Sequence, residues 1–480
     1  MSFTPKFTLP AKLWGTDGSL CLLLAATAVI VLVMLQSNEL WTMESRWAAV
    51  TLQMILKNDY LHPFLYTGPY YDKPLLSYWL ILGCAKIIGN LNEWALRLPS
   101  ALAAIITVYC TYKIGYLLVS RNAGLIAGWL LITLFSFDFW GRTASADMLN
   151  AAGIMLATLW YVQCRPNPSF GKYLLFFAII ALTCLCKGLI GALPLLIIFP
   201  DLVINQEWKK HINLSLLIAL LIGAGIYLLP FFLSAYFGNQ QVQTNGLVEV
   251  FRENIQRFFA PFDHHAPFYI YLIYLPLYLL PWTILLLPAL GYDLWHWRSL
   301  KPNQRWLIKI IIILLLVLSL SGGKRSYYIL PSLPFAILIL ADWLDNFLFF
   351  RANWSRQLQK IVGVIYLLLL CWFGIIQLLN NLHTSGIWQF AAQVHKIAEV
   401  KKPWNQWQIT ALKTTHDSSA IFYLQPQHEI LAADLSKIDK TKIIIATKED
   451  LAKLQLILSS YQLVAEDKKS AQATIALIPH

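Results

Sequence analysis

The chain has 480 residues, of which 58% are hydrophobic and 13% charged, and its mean hydropathy is +0.57. A soluble core needs no such excess of apolar side chains, and 14% aromatic residues without low-complexity or heptad patterning exclude disorder, collagen and coiled coil. A formal charge of +12 and a pI near 9.2 then describe a polytopic α-helical membrane protein with Lys and Arg retained on cytoplasmic loops, with no nucleic-acid partner implied.

After Lys6 and Lys12, an apolar run from about Ser19 to Gln36 has the length of an uncleaved first span. The pattern from Glu44 to Asn58 predicts an amphipathic helix, followed by a loop rich in Pro, Gly and Tyr and a short apolar segment, Leu75 to Gly89, interrupted by Lys86. Further apolar runs near 99–118, 123–139, 148–164, 172–186, 188–205, 213–235, 268–291, 306–321, 327–343 and 360–381 bring the expected spans to about 11.

Loop charge orients them. With Leu75 to Gly89 lying in the membrane plane, Arg121, Arg165, Lys172, Lys209, Lys210, Arg298, Lys301, Arg305, Arg351, Arg356 and Lys360 share the side of the N-terminus. Letting that segment cross would reverse every later loop, against the positive-inside rule. The expected N-terminus is therefore cytoplasmic, and the stretches 38–98, 236–267 and everything after about His383 face the periplasm, the first with in-plane helices.

Composition changes from His383 onward, where 20 of 98 residues are charged. Strand-like runs at 407–413, 429–433, 442–446, 462–465 and 473–478, with a helical pattern over 448–459, predict a small α/β module. This divides the chain into a transmembrane part, 1–382, and a soluble periplasmic domain, 383–480. The seven cysteines all fall in apolar stretches without Cys-x-x-Cys spacing and read as buried hydrophobes.

Ionisable groups at a membrane surface are costly unless paired or used, so the polar clusters on the outer face are the candidates for chemistry. Glu44 and Arg46 open the amphipathic helix, where a carboxylate is also favoured by the helix dipole alone. Tyr70, Tyr71, Asp72, Lys73 and Pro74 join an acid and a base to two aromatics, a composition that also suits a surface turn; Lys73 has the reach to meet a lipid phosphate. Arg142 and Asp147 stand between two apolar runs, either as an internal salt bridge or as site residues. Asp263, His264 and His265 follow Arg252 and Arg257; adjacent histidines offer at most one ligand to one metal, and a solvated loop explains them equally. Lys187, Lys324 and Arg325 are cations on the side where cations are discouraged, and with Lys73, Arg142 and Arg257 they form a basic ring suited to an anion.

The stretches Met-Glu-Ser-Arg-Trp-Ala from Met43, Tyr-Tyr-Asp-Lys-Pro-Leu-Leu-Ser-Tyr-Trp-Leu from Tyr70 and Arg97-Leu98-Pro99-Ser100 resemble the first loop of the glycosyltransferase C superfamily. Within it the chain is similar to the bacterial lipid A aminoarabinose transferase and the protein O-mannosyltransferases, and the likeness continues through Arg142 to Asp147, Lys187-Gly188, His265 to Tyr269, Pro281-Trp282 and Lys324 to Pro334. The resemblance covers roughly residues 19 to 345 in consistent order. It implies an inverting transfer of sugar from a polyprenyl-phosphate donor, undecaprenyl phosphate in bacteria, to a hydroxyl or phosphate acceptor on lipid A or another cell-envelope glycan in the inner membrane. By the same resemblance Lys73 meets the phosphate, Asp72 with His264 or His265 is a candidate site for a divalent metal ion, and Arg46 and Asp147 line the acceptor cavity. Tyr71, Arg142, Lys187, Arg257 and Lys324 complete the candidate substrate-binding set.

One position departs from the pattern. Where the family's first loop often carries Asp, this chain has Met43, which leaves Asp147 or Glu44 to act as the catalytic base. Departing polyprenyl phosphate is a good leaving group, so one base on the acceptor hydroxyl and cations on the leaving oxygen suffice, unlike the paired carboxylates of glycoside hydrolysis. Asp147 is preferred because the helix start and Arg46 stabilise ionised Glu44 and make it the weaker base. The competing readings are a protein O-glycosyltransferase, a non-catalytic polyprenyl-lipid-binding relative, and a transporter, which would place its ionisable groups at mid-membrane and show an internal repeat.

Overall fold

The apolar runs fold as helices in the computed structural model, which describes residues 17–40, 42–238, 252, 266–349, 352–376, 386–413, 418–433, 441–450, 461–467 and 474–479. In chain order the helices that matter here are α1 (Asp17–Leu32), α2 (Thr42–Lys57), α3 (Leu76–Ile88), α4 (Glu93–Leu118), α5 (Arg121–Leu131), α6 (Phe135–Gly141), α7 (Ala146–Cys164), α8 (Phe170–Lys187), α9 (Leu193–Ile204), α10 (Trp208–His211) and α11 (Leu214–Tyr236). They continue as α12 (Ile270–Tyr278), α13 (Thr283–Trp295), α14 (Pro302–Leu320), α15 (Leu333–Phe349), α16 (Ala352–Cys371), α17 (Ile387–Lys401) and α18 (Ser418–Tyr423).

Among the described residues, 6 helices are long and apolar enough to cross a bilayer, or 8 if each of two bent pairs is one span. The count of about 11 apolar runs exceeds this because composition does not report straightness or helix length. The α5–α6 pair is bent by 73° and the α12–α13 pair by 118°. Helix α9 has 12 residues, short of the roughly 20 that a crossing needs. Many of the large side chains on the long helices are exposed, Leu221, Leu229 and Leu316 among them, as a hydrocarbon solvent allows.

The chain divides into two compact units, one made of Met1–Val33, Ser100–Leu229 and Val250–Gly374, the other of Met34–Pro99, Pro230–Glu249 and Ile375–His480. In the first, α7 and α8 form an antiparallel hairpin held close by Gly153, where an added Cβ would overlap the Thr183 hydroxyl. Gly188 ends α8 with φ of 99°, a left-handed conformation that glycine adopts without steric cost. Trp306 of α14 is fully buried, and its indole N–H donates to the Ile197 carbonyl of α9 at 2.8 Å.

In the second unit, β1 (Phe64–Leu65) and β2 (Gly68–Pro69) form a short antiparallel pair in the loop that follows α2. Strands β3 (Ile409–Leu412), β4 (Leu431–Ala433), β5 (Ile443–Thr447), β6 (Tyr461–Asp467) and β7 (Thr474–Pro479) make a sheet in the order β4-β3-β5-β7-β6. Strand β3 is parallel to β4 and β5, and β7 is antiparallel to β5 and β6. All five strands coincide with the strand-like runs of the sequence, and Leu412, Ile444, Tyr461, Ile475 and Leu477 form their core. Helices α17 and α18 join them, whereas most of the expected 448–459 helix lies outside the described residues. The amphipathic α2 packs on α18; Gln53 Nε2 donates to the Ile430 carbonyl at 2.9 Å, and Lys57 pairs with Glu429 at 2.7 Å.

Candidate active site

The ionisable residues singled out from the sequence resolve into two clusters, one in each unit. In the first unit the centre is Asp147. The Ser145 hydroxyl caps α7 by accepting from the Asp147 backbone N–H at 3.2 Å, which puts the carboxylate in the first helical turn, where the helix dipole favours an anion. The antiparallel partner α8 ends on Lys187, where the same dipole favours a cation. The hairpin therefore brings opposite charges together, and Lys187 Nζ donates to Asp147 Oδ1 in an ion pair whose side chains are only 7% and 5% exposed.

Aromatic rings close around that pair. Lys187 Nζ lies 4.4 Å from the Tyr328 ring centroid and 5.8 Å from that of Tyr327, within cation–π range. Tyr327 is also 4.6 Å from Trp140 of α6, so the segment after Lys324 touches both flanks of the site. Tyr278 Oη donates to Ser326 Oγ at 2.9 Å, and Tyr271 Oη donates to the Arg325 carbonyl at 3.2 Å, which fixes that segment against α12. Lys324 Nζ donates to the Ser321 carbonyl at 2.7 Å. Arg142, at the end of α6, donates from Nη1 to the Ile30 carbonyl at 2.6 Å and stacks 5.1 Å from the Phe373 ring. The partner that the structure gives to Asp147 is thus Lys187, forty positions along the chain, while the sequence-near Arg142 donates to the Ile30 carbonyl.

The second unit holds Glu44, Arg46, Tyr71, Asp72 and Lys73. Glu44 is 2% exposed and is gripped at both oxygens by Arg97, Nε to Oε1 at 2.8 Å and Nη2 to Oε2 at 2.7 Å. The remaining Arg97 donors reach the carbonyls of Leu35 at 2.8 Å, Asn38 at 3.1 Å and Glu39 at 3.2 Å, so the guanidinium fork is saturated. Arg46, the nearer cation in sequence, donates to Tyr70 Oη at 3.4 Å. Burial, reinforced by the Asp72 carboxylate, pushes the Tyr70 phenol up to about 12, so it stays protonated. Tyr71 Oη is 3.2 Å from Ser234 Oγ, and Lys73 Nζ donates to the Asp72 carbonyl at 3.0 Å. His62, which sequence reasoning passed over, ties this loop down, with Nδ1 2.8 Å from Asp59 Oδ2 and Nε2 2.8 Å from the Ser234 carbonyl.

Arg257, His264 and His265 lie outside the described residues. Asp72 is the one candidate metal ligand among them, and no group of three or more His, Cys, Asp or Glu side chains able to hold a metal occurs among the described residues. Two residue sets escaped the sequence reading. Arg97 was visible as part of a motif, but its bond to Glu44 spans 53 positions; the aromatic pair Tyr327-Tyr328 follows Lys324 after Arg325 and Ser326, yet only the fold sets it over Lys187.

Comparison with known proteins bears on both units. A family model described as dolichyl-phosphate-mannose-protein mannosyltransferase matches residues 72–234. The chain is 28% identical, over 66% of its length, to an undecaprenyl phosphate-alpha-4-amino-4-deoxy-L-arabinose arabinosyl transferase of Pseudomonas paraeruginosa, covering 58% of that protein. It is 29% identical over 71% of its length to arabinosyl transferase 2 of Pseudomonas fluorescens, again covering 59% of the relative. The chain thus spans under two thirds of the length of these relatives. Among solved structures, ArnT from Cupriavidus metallidurans bound to undecaprenyl phosphate superposes with a TM-score of 0.77 at 16% identity, over 96% of this chain and 98% of that one. The Archaeoglobus fulgidus oligosaccharyltransferase in complex with Zn and sulfate gives 0.54 at 11% identity, over 90% of this chain and 68% of that one. At such identities the likeness is one of fold.

Proposed function

We propose that the chain, which is similar to undecaprenyl phosphate-aminoarabinose transferases in sequence and to ArnT in fold, transfers a sugar from a polyprenyl-phosphate donor to an acceptor on a cell-envelope glycolipid, with inversion. Undecaprenyl phosphate is the proposed carrier, an aminoarabinose the sugar and lipid A the acceptor. The observation that carries the reading is the buried Asp147–Lys187 pair under Tyr327 and Tyr328, which keeps a carboxylate and an ammonium together and away from water.

A lysine ammonium is a compact point charge with three donors, and the dianionic character of a leaving phosphate competes well for it. In this mechanism Lys187 turns from Asp147 toward the donor phosphate and frees a carboxylate oxygen. The acceptor hydroxyl gives its proton to that oxygen while its own oxygen attacks the anomeric carbon. The bond from that carbon to the phosphate oxygen breaks, the electron pair leaves with the polyprenyl phosphate, and Lys187 with Lys324, Arg142 and Arg257 balances the charge. For Lys73, Tyr71 and Arg46 of the second unit the sequence resemblance is the support, which gives the first two to donor binding and the third to the acceptor. Glu44, saturated by Arg97, is left with a structural part. No step needs a metal; a divalent ion at Asp72 with His264 or His265 stays a separate proposal, and unchanged turnover after exhaustive chelation would remove it.

Reconstituted protein given undecaprenyl-phosphate-linked aminoarabinose and lipid A should yield lipid A heavier by one sugar in mass spectrometry. Absence of product with active membranes as positive control sinks the reading. The family model over 72–234 supports a second acceptor, a protein hydroxyl, and the same assay with membrane proteins in place of lipid A tests it. We also propose a bacterial inner-membrane location with the N-terminus in the cytoplasm and residues 383–480 as a periplasmic domain. Val400 is 85% exposed, so a Val400→Cys chain should react with an impermeant maleimide from the periplasm. Labelling from the cytoplasm alone would reverse the topology.

A further inference from the structure

The α7–α8 hairpin has a second end. From Asp147 to Arg165 along α7 is about 27 Å, and from Lys187 to Lys172 along α8 about 23 Å, at 1.5 Å per residue. These lengths approach the roughly 30 Å hydrocarbon thickness of a bilayer. A cavity of about 200 Å³ opens at the end opposite the Asp147–Lys187 pair, and none of the residues proposed above for the transfer lines it. Its walls are mainly apolar, Phe176, Phe177 and Leu202 among them, and its polar lining includes Arg165, Lys172 and His211.

The polar groups differ in how far they are already satisfied. Arg165 is committed to Asp201 at 2.8 Å, and Tyr161 and Asn205 donate to the same carboxylate at 2.7 and 2.8 Å. Lys172 instead donates to the carbonyl of Asn167 at 2.6 Å and has no carboxylate partner among the described residues. His211 Nδ1 is 3.0 Å from Tyr173 Oη, which also accepts from Asn213 Nδ2 at 3.5 Å. The tyrosine proton then points to Nδ1, and the ring proton of a neutral His211 sits on Nε2. Burial lowers the His211 pKa and favours that neutral ring. Its Nε2 is buried and has no hydrogen-bond partner among the described residues. An apolar cavity alone would accept any hydrocarbon chain. An ammonium without a carboxylate partner among the described residues and an unused N–H donor, both on residues that line the cavity, select a chain that ends in an anion with acceptor oxygens.

We propose that this cavity receives an acyl chain of an anionic glycerophospholipid from the leaflet opposite the Asp147–Lys187 pair, with the lipid phosphate met by Lys172 and the Nε2–H of His211. A zwitterionic lipid fits less well because its own ammonium opposes Lys172. The inference is independent of the transfer reaction, and its readout is lipid retention. Full-length protein in detergent, given equimolar phosphatidylglycerol and phosphatidylcholine with the same chains, should retain phosphatidylglycerol preferentially in native mass spectrometry. Lys172→Glu should cut that retention by about tenfold and leave phosphatidylcholine unchanged, since it reverses the charge at the phosphate. Leu202→Trp, which fills the cavity, should remove both. Should that chain misfold, the unaltered protein supplies the measurement: Cys164 lines the same cavity as a free thiol, and phosphatidylglycerol should slow its alkylation. Equal retention of the two lipids, no effect of Lys172→Glu, or an unprotected Cys164 overturns the proposal. Displacement of phosphatidylglycerol by equimolar undecaprenyl phosphate would overturn it too, by showing the carrier lipid to be the occupant.

Discussion

Glu44–Arg97 and Asp147–Lys187 are both buried ion pairs, one in each unit, and they differ in saturation. Arg97 spends every donor on two carboxylate oxygens and three backbone carbonyls, an arrangement that joins the start of α4 to the chain entering α2. Lys187 makes a single-point contact with Asp147, and aromatic faces supply part of its remaining environment. A planar fork in five hydrogen bonds has no better place to go, whereas a point charge over rings can turn to a new anion at small cost. Burial alone therefore does not mark a reactive carboxylate; the number of fixed bonds on its partner does.

The sharpest way to break this contrast is to neutralise each acid without changing its shape. Asp147→Asn should lower kcat by about a hundredfold to ten-thousandfold with donor binding largely kept, as expected for loss of a general base. Glu44→Gln should leave the kcat of the folded fraction within a few-fold. A folded but inactive Glu44→Gln protein beside a fully active Asp147→Asn protein would exchange the two roles.

Stability should show the opposite order. Arg97→Met strands a buried carboxylate and should destabilise by about 3–5 kcal/mol, while Glu44→Leu combined with Arg97→Met should recover much of that loss. Thermal melts in detergent read both. An unchanged melting temperature for Arg97→Met would mean that the pair is no lock.

Tyr328→Leu removes the ring nearest Lys187 and should cost about 0.5–2 kcal/mol of donor binding, read as a rise in KM for the donor with the fold intact. A normal KM would take the ring out of the site. The smallest expected effect is at Tyr70. Its raised pKa means that the folded state keeps the phenolic proton, and the stability linked to that proton is complete below about pH 10, the unfolded value, and declines as pH rises toward about 12. Tyr70→Phe should therefore leave the pH–rate profile unchanged at neutral pH and alter only alkaline denaturation; a shifted neutral limb would give Tyr70 a catalytic proton.

Several features of this protein were legible before any coordinates. The helical membrane class follows from composition, because hydrocarbon solvent rewards apolar faces everywhere along a run. The amphipathic α2 and all five strands of the C-terminal sheet follow from periodicity, which is local by nature. Asp147, Lys187 and Lys324 stood out as charges in places where charge is costly. What the linear order leaves open is which charge meets which. Arg46 is two positions from Glu44, yet the guanidinium on that carboxylate belongs to Arg97; Arg142 is five positions from Asp147, yet the ammonium on that acid comes from the far end of α8. Helix breaks are equally invisible to composition, as the 73° bend between α5 and α6 shows. Hydrophobicity and periodicity sum over neighbours in sequence, so they select elements. Pairing of buried charges depends on distances that exist only once helices have packed, and that step was decided by the tertiary structure.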